Sequence, residues 1–171
     1  LALHALVGER RHVTLTNLST QTRAIELTSY AEVVLAPLNA DLAHPAFSNL
    51  FVQTEILHDA QAILCMRRPR APGETSPWMF HLMTTQGTAV GDASYETDRA
   101  KFIGRCRSVA NPAAFDKVAP LSNTAGAVLD PMVAIRRGVL IDPDTSAHWH
   151  IITGMAETRA AALALIAKYR D

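Results

Sequence analysis

The chain has 171 residues, 49% of them hydrophobic and 19% charged, which is the size and composition of one globular domain rather than of a disordered chain. Its 16 basic and 16 acidic side chains cancel, so net charge gives no argument for a nucleic-acid partner or an anionic membrane surface. No apolar run approaches the roughly 20 residues that cross a bilayer, and the apolar residues 1–7 lack the charged region and cleavage site of a signal peptide.

The first predicted elements are strands, because apolar and polar residues alternate with a period of two. They cover residues 11–17 and 25–35, and the polar residues between them favour an antiparallel hairpin with one buried face. The side chains predicted on that buried face are Ile25, Leu27, Ala31, Val33 and Leu35. Turn-forming residues then interrupt the alternation over residues 37–49, which predicts a long loop.

Short apolar segments separated by turn residues predict further strands. They cover residues 51–56, 62–67, 78–83, 132–141 and 147–153. The segment 78–83 is apolar at most positions, which favours a strand buried on both faces. Asp and Pro at the first two positions of 142–145 predict a type I turn. Residues 67–74 form a second predicted loop, and residues 111–124 are expected to be irregular or to carry a short helix.

The end of the chain predicts an amphipathic helix over residues 157–170, since Ala162, Leu165, Ile166 and Tyr169 recur at helical spacing. Many short strands followed by one helix predict a mainly all-β fold, an antiparallel β-sandwich with a C-terminal helix. We accordingly divide the chain into a β-sandwich over residues 1–155 and a helical segment over residues 156–171.

Few residues suit covalent catalysis or metal binding. Cys65 lies in an apolar strand and is expected in the core, and Cys106 stands between two arginines without a base beside it. We expect both to be free thiols. His148 and His150 share one strand face, but a metal site needs a third ligand that no neighbouring spacing supplies. We therefore expect Trp149 to face the core, with no metal and no catalytic residue in this chain.

The segment 95–107 combines four cations with two carboxylates. Glu96 and Asp98 would share one face of an extended strand, and glycoside hydrolysis uses two carboxylates that flank one bond. Neither stands in the apolar surroundings of a general acid. Two alternatives remain for the pair. One is ion pairing with Arg99, Arg105 or Arg107, and the other is orientation of a sugar or of a partner loop.

The predicted loop at 39–49 is a second candidate surface. Its Asn, Asp, His and Phe side chains are of types that bind sugar hydroxyls and stack on sugar faces. The alternative is a long crossover loop packed by Phe47.

Several segments in one order resemble a known family. They are residues 13–19, 26–35, 43–52, 95–99 with Phe102 and 104–105, and 129–131. Together they resemble the β-sandwich domain of the cellobiose phosphorylase-like family, glycoside hydrolase family ninety-four, and in particular the copy within bacterial cyclic β-1,2-glucan synthases. The resemblance runs over nearly the whole chain.

The resemblance implies an antiparallel super-sandwich like that of galactose mutarotase, followed by a helical linker and an (α/α) six-hairpin barrel. That barrel would carry the general acid and bind inorganic phosphate as co-substrate, so this chain would hold no cofactor. The implied partners are the catalytic barrel of the same polypeptide, a β-glucan oligosaccharide and a second copy of the chain in a homodimer. The implied location is the cytoplasm, with the parent protein free there or associated with the inner membrane.

The resemblance also implies that loops of the sandwich approach the active site of the barrel. The matching residues of this chain are His44, Asn49, Tyr95, Asp98, Arg99 and Arg105. The family usually has glycine where Cys106 stands. If that position takes a positive φ, a cysteine is strained there.

These inferences predict a noncatalytic accessory domain that braces the barrel and helps line its substrate site. One alternative is an independent carbohydrate-binding module. Another is a small mutarotase-like enzyme that uses a His and a carboxylate, which only an analogy of fold supports. Because strands of the family's sandwich are expected upstream of Leu1, an unpaired sheet edge would also favour self-association.

Overall fold

The computed structural model describes residues 6–170, which form strands, short helices and one longer C-terminal helix. The strands are β1 (Leu6–Thr16), β2 (Arg23–Thr28), β3 (Ala31–Glu32), β4 (Val52–Leu57), β5 (Ala62–Arg67), β6 (Trp78–Gln86), β7 (Thr88–Asp98), β8 (Gly126–Ala127), β9 (Pro131–Ile141) and β10 (Ser146–Ala156). The helices are α1 (Leu38–Ala43), α2 (Pro45–Asn49), α3 (Arg99–Ile103) and α4 (Arg159–Arg170), with a 3₁₀ turn at Ala113–Phe115.

The strands form two antiparallel sheets. Sheet A has six strands in the order β1-β10-β6-β5-β4-β8. In sheet B, β9 pairs with β2, β3 and β7. The predicted mainly all-β antiparallel sandwich with a C-terminal helix is thus confirmed. Within the described part of the chain, no helix is long and apolar enough to span a membrane.

The main core lies between the sheets. Trp149 of β10 and Ile63 of β5 face Ile135 of β9 and Tyr95 of β7 across it, and all four side chains are buried. A Trp, a Tyr and many aliphatic side chains in one cluster exclude water from both inner faces, which is the dominant favourable contribution to folding. Trp149 therefore faces the core, as predicted.

A second core lies on the outer face of sheet A, under α4. Ala162 and Ile166 of α4 are buried against Phe80, Leu82 and Ile152. The predicted amphipathic helix is confirmed, and it packs onto the sandwich. Strand β6 is buried on both faces, also as predicted, because its alternate residues enter one core or the other.

The predicted hairpin of the first two strands is wrong. β1 pairs with β10 in sheet A, and the next strand, β2, pairs with β9 in sheet B. Alternation identifies the buried face of a strand, not its partner. The amide of Asn17 donates to the carbonyls of Gln21 and Ile141, which fixes the crossing between sheets. The predicted buried face is correct, since its five side chains pack in the main core.

Two local predictions also need correction. The segment 37–49 contains α1 and α2 instead of an open loop, and Pro45 begins α2 at a position where a missing N–H costs nothing. In the turn at 142–145, Asp144 has a φ of +54°, which belongs to a type II turn and not to the predicted type I turn. The N–H of Asp144 donates to the carbonyl of Asn17 at 2.8 Å and holds this conformation.

Candidate functional site

Asp130 joins the two segments that the sequence singled out. Its Oδ1 accepts a hydrogen bond of 3.3 Å from the amide of Asn49, and its Oδ2 accepts one of 3.3 Å from the guanidinium of Arg99. Asn49 ends α2 and Arg99 begins α3, so one carboxylate connects the predicted loop at 39–49 with the charged segment at 95–107.

Arg99 also contacts a tyrosine and a second carboxylate. Its Nε donates to Glu32 Oε1 at 3.1 Å and to the Tyr30 hydroxyl at 3.3 Å. The Tyr30 hydroxyl donates in turn to Glu32 Oε1 at 2.9 Å. We call the five connected residues, Tyr30, Glu32, Asn49, Arg99 and Asp130, the Asp130 network. One guanidinium between two carboxylates leaves this network with a net negative charge.

The network stabilises one protonation state of each of two groups. The hydrogen bond to Tyr30 raises the pKa of Arg99, and the carboxylates of Asp130 and Glu32 raise it further. Burial raises the pKa of Tyr30, and its hydrogen bond to Glu32 acts in the same direction. Arg99 therefore stays a cation and Tyr30 stays a neutral hydroxyl near neutral pH.

Backbone contacts hold Arg99 in place. The Arg99 N–H donates to the carbonyl of Asp130 at 3.0 Å, so residues 99 and 130 are joined twice. Asp98 is the N-cap of α3, and its Oδ1 accepts a hydrogen bond of 2.9 Å from the N–H of Ala100. A side chain fixed at the start of a capped helical turn loses little further entropy when it meets a ligand.

The predicted ion pairs of Glu96 and Asp98 with nearby arginines are wrong. Glu96 is buried in β7, and its carboxylate accepts hydrogen bonds from Ser122 and from the N–H groups of Thr97 and Asp98. Asp98 is used as the helix cap. Arg107 pairs with Asp116 at 2.6 Å instead. Closeness in sequence favours these pairs. However, β7 directs the Glu96 side chain inward, where hydrogen bonds satisfy its carboxylate without a cation.

The other predicted site residues do not share one place. Tyr95, predicted on a surface loop, lies in β7, and its side chain is buried in the main core. His44 is exposed between α1 and α2, and Arg105 is exposed after α3. For the side chains of His44 and Arg105 the structure gives no hydrogen bond or ion pair to residues 6–170.

Three members of the network are not among the site residues predicted from the sequence. Tyr30 and Glu32 lie in the predicted strand 25–35 outside its predicted buried face, and Asp130 lies in the short segment 129–131. A signal was available, because all three lie in segments that carried the family resemblance. Their separation in sequence from Arg99 hid their proximity in space.

The segments around the network expose apolar side chains. Leu42 is 72% exposed, Phe47 52% and Leu129 77%, and Leu38 and Leu50 are also exposed. Single exposed apolar residues are ordinary, but several on the two segments that carry Asn49 and Asp130 suit a surface covered by another unit.

The cysteines and histidines are arranged as follows. Cys65 is buried, Cys106 is exposed, and both are free, as predicted. His150 and His148 share one face of β10, and His12 of β1 stacks on His150 with ring centroids 4.4 Å apart. Despite this third imidazole, no group of His, Cys, Asp and Glu in the described residues is arranged to hold a metal ion.

The chemistry that the Asp130 network can perform is hydrogen bonding to hydroxyl groups.

Comparison with known proteins identifies the family. The model of the family described as "Glycosyl hydrolase 94, supersandwich domain" matches residues 7–171. The cyclic beta-(1,2)-glucan synthase NdvB of Rhizobium meliloti (strain 1021) is 44% identical over 134 residues, which are 78% of this chain. The matched residues cover only 5% of that relative, so the chain spans about one-twentieth of its length. The chain therefore belongs to the Glycosyl hydrolase 94 supersandwich domain family, as the resemblance of its segments predicted.

Proposed function

We propose that this chain is a noncatalytic accessory β-sandwich domain of a β-glucan-processing enzyme, a phosphorylase or a cyclic β-1,2-glucan synthase. Its family and the printed name of its relative NdvB support this class of enzyme. In the proposed enzyme a helical barrel of the same polypeptide performs the reaction and binds inorganic phosphate. The domain braces that barrel and helps line its substrate site.

The observation that carries the proposal is the Asp130 network. Its charged side chains are 38–56% exposed, so each still offers donors or acceptors to a ligand. Carboxylates and a guanidinium are suited to sugar hydroxyls, which both donate and accept hydrogen bonds. The internal hydrogen bonds orient these groups in advance, which lowers the entropic cost of binding.

The exposed apolar side chains support the bracing role. Leu42, Phe47 and Leu129 would leave water when the barrel covers this face. The polar network would then lie at the edge of the covered surface, facing the glucan.

The main test is made in the full-length parent enzyme, with Arg99→Ala and Arg23→Ala compared. Arg23 is an exposed arginine on β2 and serves as the matched control. We expect Arg99→Ala to lower kcat/KM for β-1,2-glucooligosaccharides about tenfold, mainly through KM, because it removes binding rather than chemistry. Arg99→Lys should restore little, since an ammonium does not reproduce the fork between two carboxylates. An unchanged kcat/KM in Arg99→Ala would overturn the proposed role of the network.

The noncatalytic assignment has its own test. The 171-residue chain is incubated with β-1,2-glucooligosaccharide and phosphate, and we expect no glucose 1-phosphate. Phosphorolysis by this chain would refute the assignment. Epimerisation of glucose would favour the mutarotase-like alternative.

One observation favours a carbohydrate-binding module as the second candidate. Phe47 is half exposed beside Arg70, whose guanidinium lies 5.7 Å from the ring centroid, and aromatic rings are common platforms for sugars. Calorimetry on the 171-residue chain separates the two functions. Saturable oligosaccharide binding that Arg99→Ala abolishes would favour the carbohydrate-binding module. If the chain alone does not bind oligosaccharide, the accessory domain is favoured.

A homodimer is also part of the proposal. β1 pairs with β10 on one side, and within the described residues no strand pairs with its other side. Such an edge favours pairing with a second copy, although Glu9, Arg10 and Arg11 place charges along it. Light scattering that shows a clean monomer at high concentration would count against the dimer.

A further inference from the structure

A polar cleft lies between the end of α4 and sheet A, and it shares no residue with the Asp130 network. Its volume is about 430 Å³. Three strands and the helix contribute to its wall. The lining residues are Arg10, Thr84, Thr85, Gln86, His150, Ile152, Tyr169 and Arg170.

Among residues 6–170, the lining of the cleft contains cations and hydroxyl groups and no carboxylate. Arg10 and Arg170 are both exposed. Lys168 adds a third cation nearby, with its Nζ 5.3 Å from the centroid of the Tyr169 ring. Two guanidinium groups without a counter-charge repel each other, and an anion between them would remove that repulsion.

Histidines extend the same surface across β10 and β1. His12 and His150 are paired across the two strands and their rings stack, and the ring of His148 lies 5.4 Å from that of His12. Nδ1 of His150 is buried and has no hydrogen-bond partner among residues 6–170. The Thr14 hydroxyl lies 2.9 Å from Nδ1 of His148 and 3.5 Å from Nε2 of His12, so a hydroxyl as well as ring stacking holds the imidazoles together.

The charged groups on the surrounding elements leave the positive charge of the cleft uncompensated. On β1, Glu9 is paired with Arg11 at 2.7 Å, so its charge is compensated. β6 contributes no charged side chain to the cleft, and His150 is the one titratable side chain that β10 contributes among the described residues. Burial lowers the pKa of His150, and His12, Arg10 and His148 lower it further, as expected for uncompensated positive charge.

We propose that this cleft binds a phosphate group, either free phosphate or the phosphate of a small monoester. The two arginines would bind the phosphate oxygens through their paired N–H groups. The hydroxyls of Thr84 and Tyr169 and the amide of Gln86 would supply further donors. This site goes beyond the accessory function proposed above and does not depend on it.

The test is a titration of the 171-residue chain with inorganic phosphate at constant ionic strength, followed by calorimetry and by NMR of the imidazole signals. We expect saturable binding, weakened at least about tenfold in Arg10→Gln and in Arg170→Gln. Arg23→Gln, which removes an exposed arginine elsewhere, should bind like the unmodified chain. All three replaced side chains are exposed, so the variants are expected to fold, and thermal melting checks this.

The histidine signals distinguish a site from general screening. Phosphate should counter the lowering of the His150 pKa and so raise the pH at which the signal of His150 titrates. Methyl phosphate and vesicles of phosphatidylglycerol are then compared with phosphate. Binding of methyl phosphate without binding of vesicles supports a soluble monoester, and binding of vesicles alone would overturn the proposal. Absence of saturation, or equal weakening in Arg23→Gln, would also overturn it.

Discussion

The imidazole of His81 and the hydroxyl of Ser29 connect the two sheets, with Nε2 and Oγ 2.8 Å apart. His81 lies in β6 of sheet A, and its Nδ1 is 2.8 Å from the hydroxyl of Thr153. On the opposite side, the Ser29 hydroxyl accepts a hydrogen bond of 3.0 Å from the N–H of Ile135 in sheet B. A neutral imidazole has one donor and one acceptor nitrogen, so both of its nitrogens are satisfied.

The free energy of unfolding should therefore decrease in acid, because His81 is held neutral in the folded chain. Burial lowers the pKa of His81 from its ordinary value of 6.5 to about 4, and the neighbouring Arg11 acts in the same direction while Glu9 opposes it. The unfolded chain takes up this proton at higher pH than the folded chain does. The stabilisation is complete above pH 6.5 and is lost as pH falls towards about 4, by roughly 3 kcal/mol.

Urea unfolding between pH 7.5 and pH 4 measures this effect in the unmodified chain and in His81→Gln. Gln keeps a donor and an acceptor but does not titrate, so the stability difference between the two proteins should shrink as the pH falls. His44→Gln, at an exposed histidine, should follow the unmodified chain. Parallel curves for the unmodified chain and His81→Gln would contradict the prediction.

The contact of His81 with Ser29 could not be predicted from the sequence. The alternation in β6 showed that this strand is buried on both faces, but not that a histidine there would bond across to Ser29. Alternation likewise placed Val33 and Leu35 in the core while assigning the wrong strand partner. Local patterns report which face is buried, whereas strand pairing is decided by long-range packing.

The same limit applies to the candidate site. The segments of Arg99 and Asn49 were predicted because they are rich in polar and charged residues, and the family resemblance then pointed to these two residues within them. Asp130 was not, because it is 31 and 81 residues from those two partners in sequence. A buried or half-buried polar group takes whichever partner the fold brings near, which is also why Glu96 bonds to Ser122 and not to an arginine.

A side chain at Gly104 should destabilise the fold. It ends α3 with a φ of +82°, and an added Cβ would lie 2.7 Å from Cβ of Ala113. Gly73 has the same φ of +82°, but an added Cβ there would meet nothing within 4 Å, so Gly73→Ala is the control for a side chain at positive φ without overlap. We expect Gly73→Ala to cost about 1 kcal/mol and Gly104→Ala about 1–3 kcal/mol more, because overlap is added to strain. If urea unfolding shows the same loss of stability in both variants, the segment around Ala113 moves away from the added Cβ at no measurable cost.

The two thiols should differ sharply in reactivity. Burial raises the pKa of Cys65 to about 12, and a thiolate is the reactive form, while Cys106 is exposed. An aromatic disulfide reagent should therefore label one thiol rapidly in the folded chain and the second only as the chain unfolds. Cys106→Ser should remove the rapid phase alone. Two rapid equivalents in the folded chain would contradict the burial of Cys65.

Cys106→Gly should stabilise the fold. Cys106 has a φ of +58°, a positive value at which a cysteine is strained and a glycine is not. An L-residue in this conformation costs about 1–2 kcal/mol, and the greater freedom of glycine in the unfolded chain offsets about 0.5–1 kcal/mol of the relief. We expect a net gain of about 0.5–1 kcal/mol in urea unfolding. Cys106→Ser keeps the Cβ and should change stability by no more than a few tenths of a kcal/mol. If Ser and Gly stabilise equally, the thiol and not the backbone is the source of the cost.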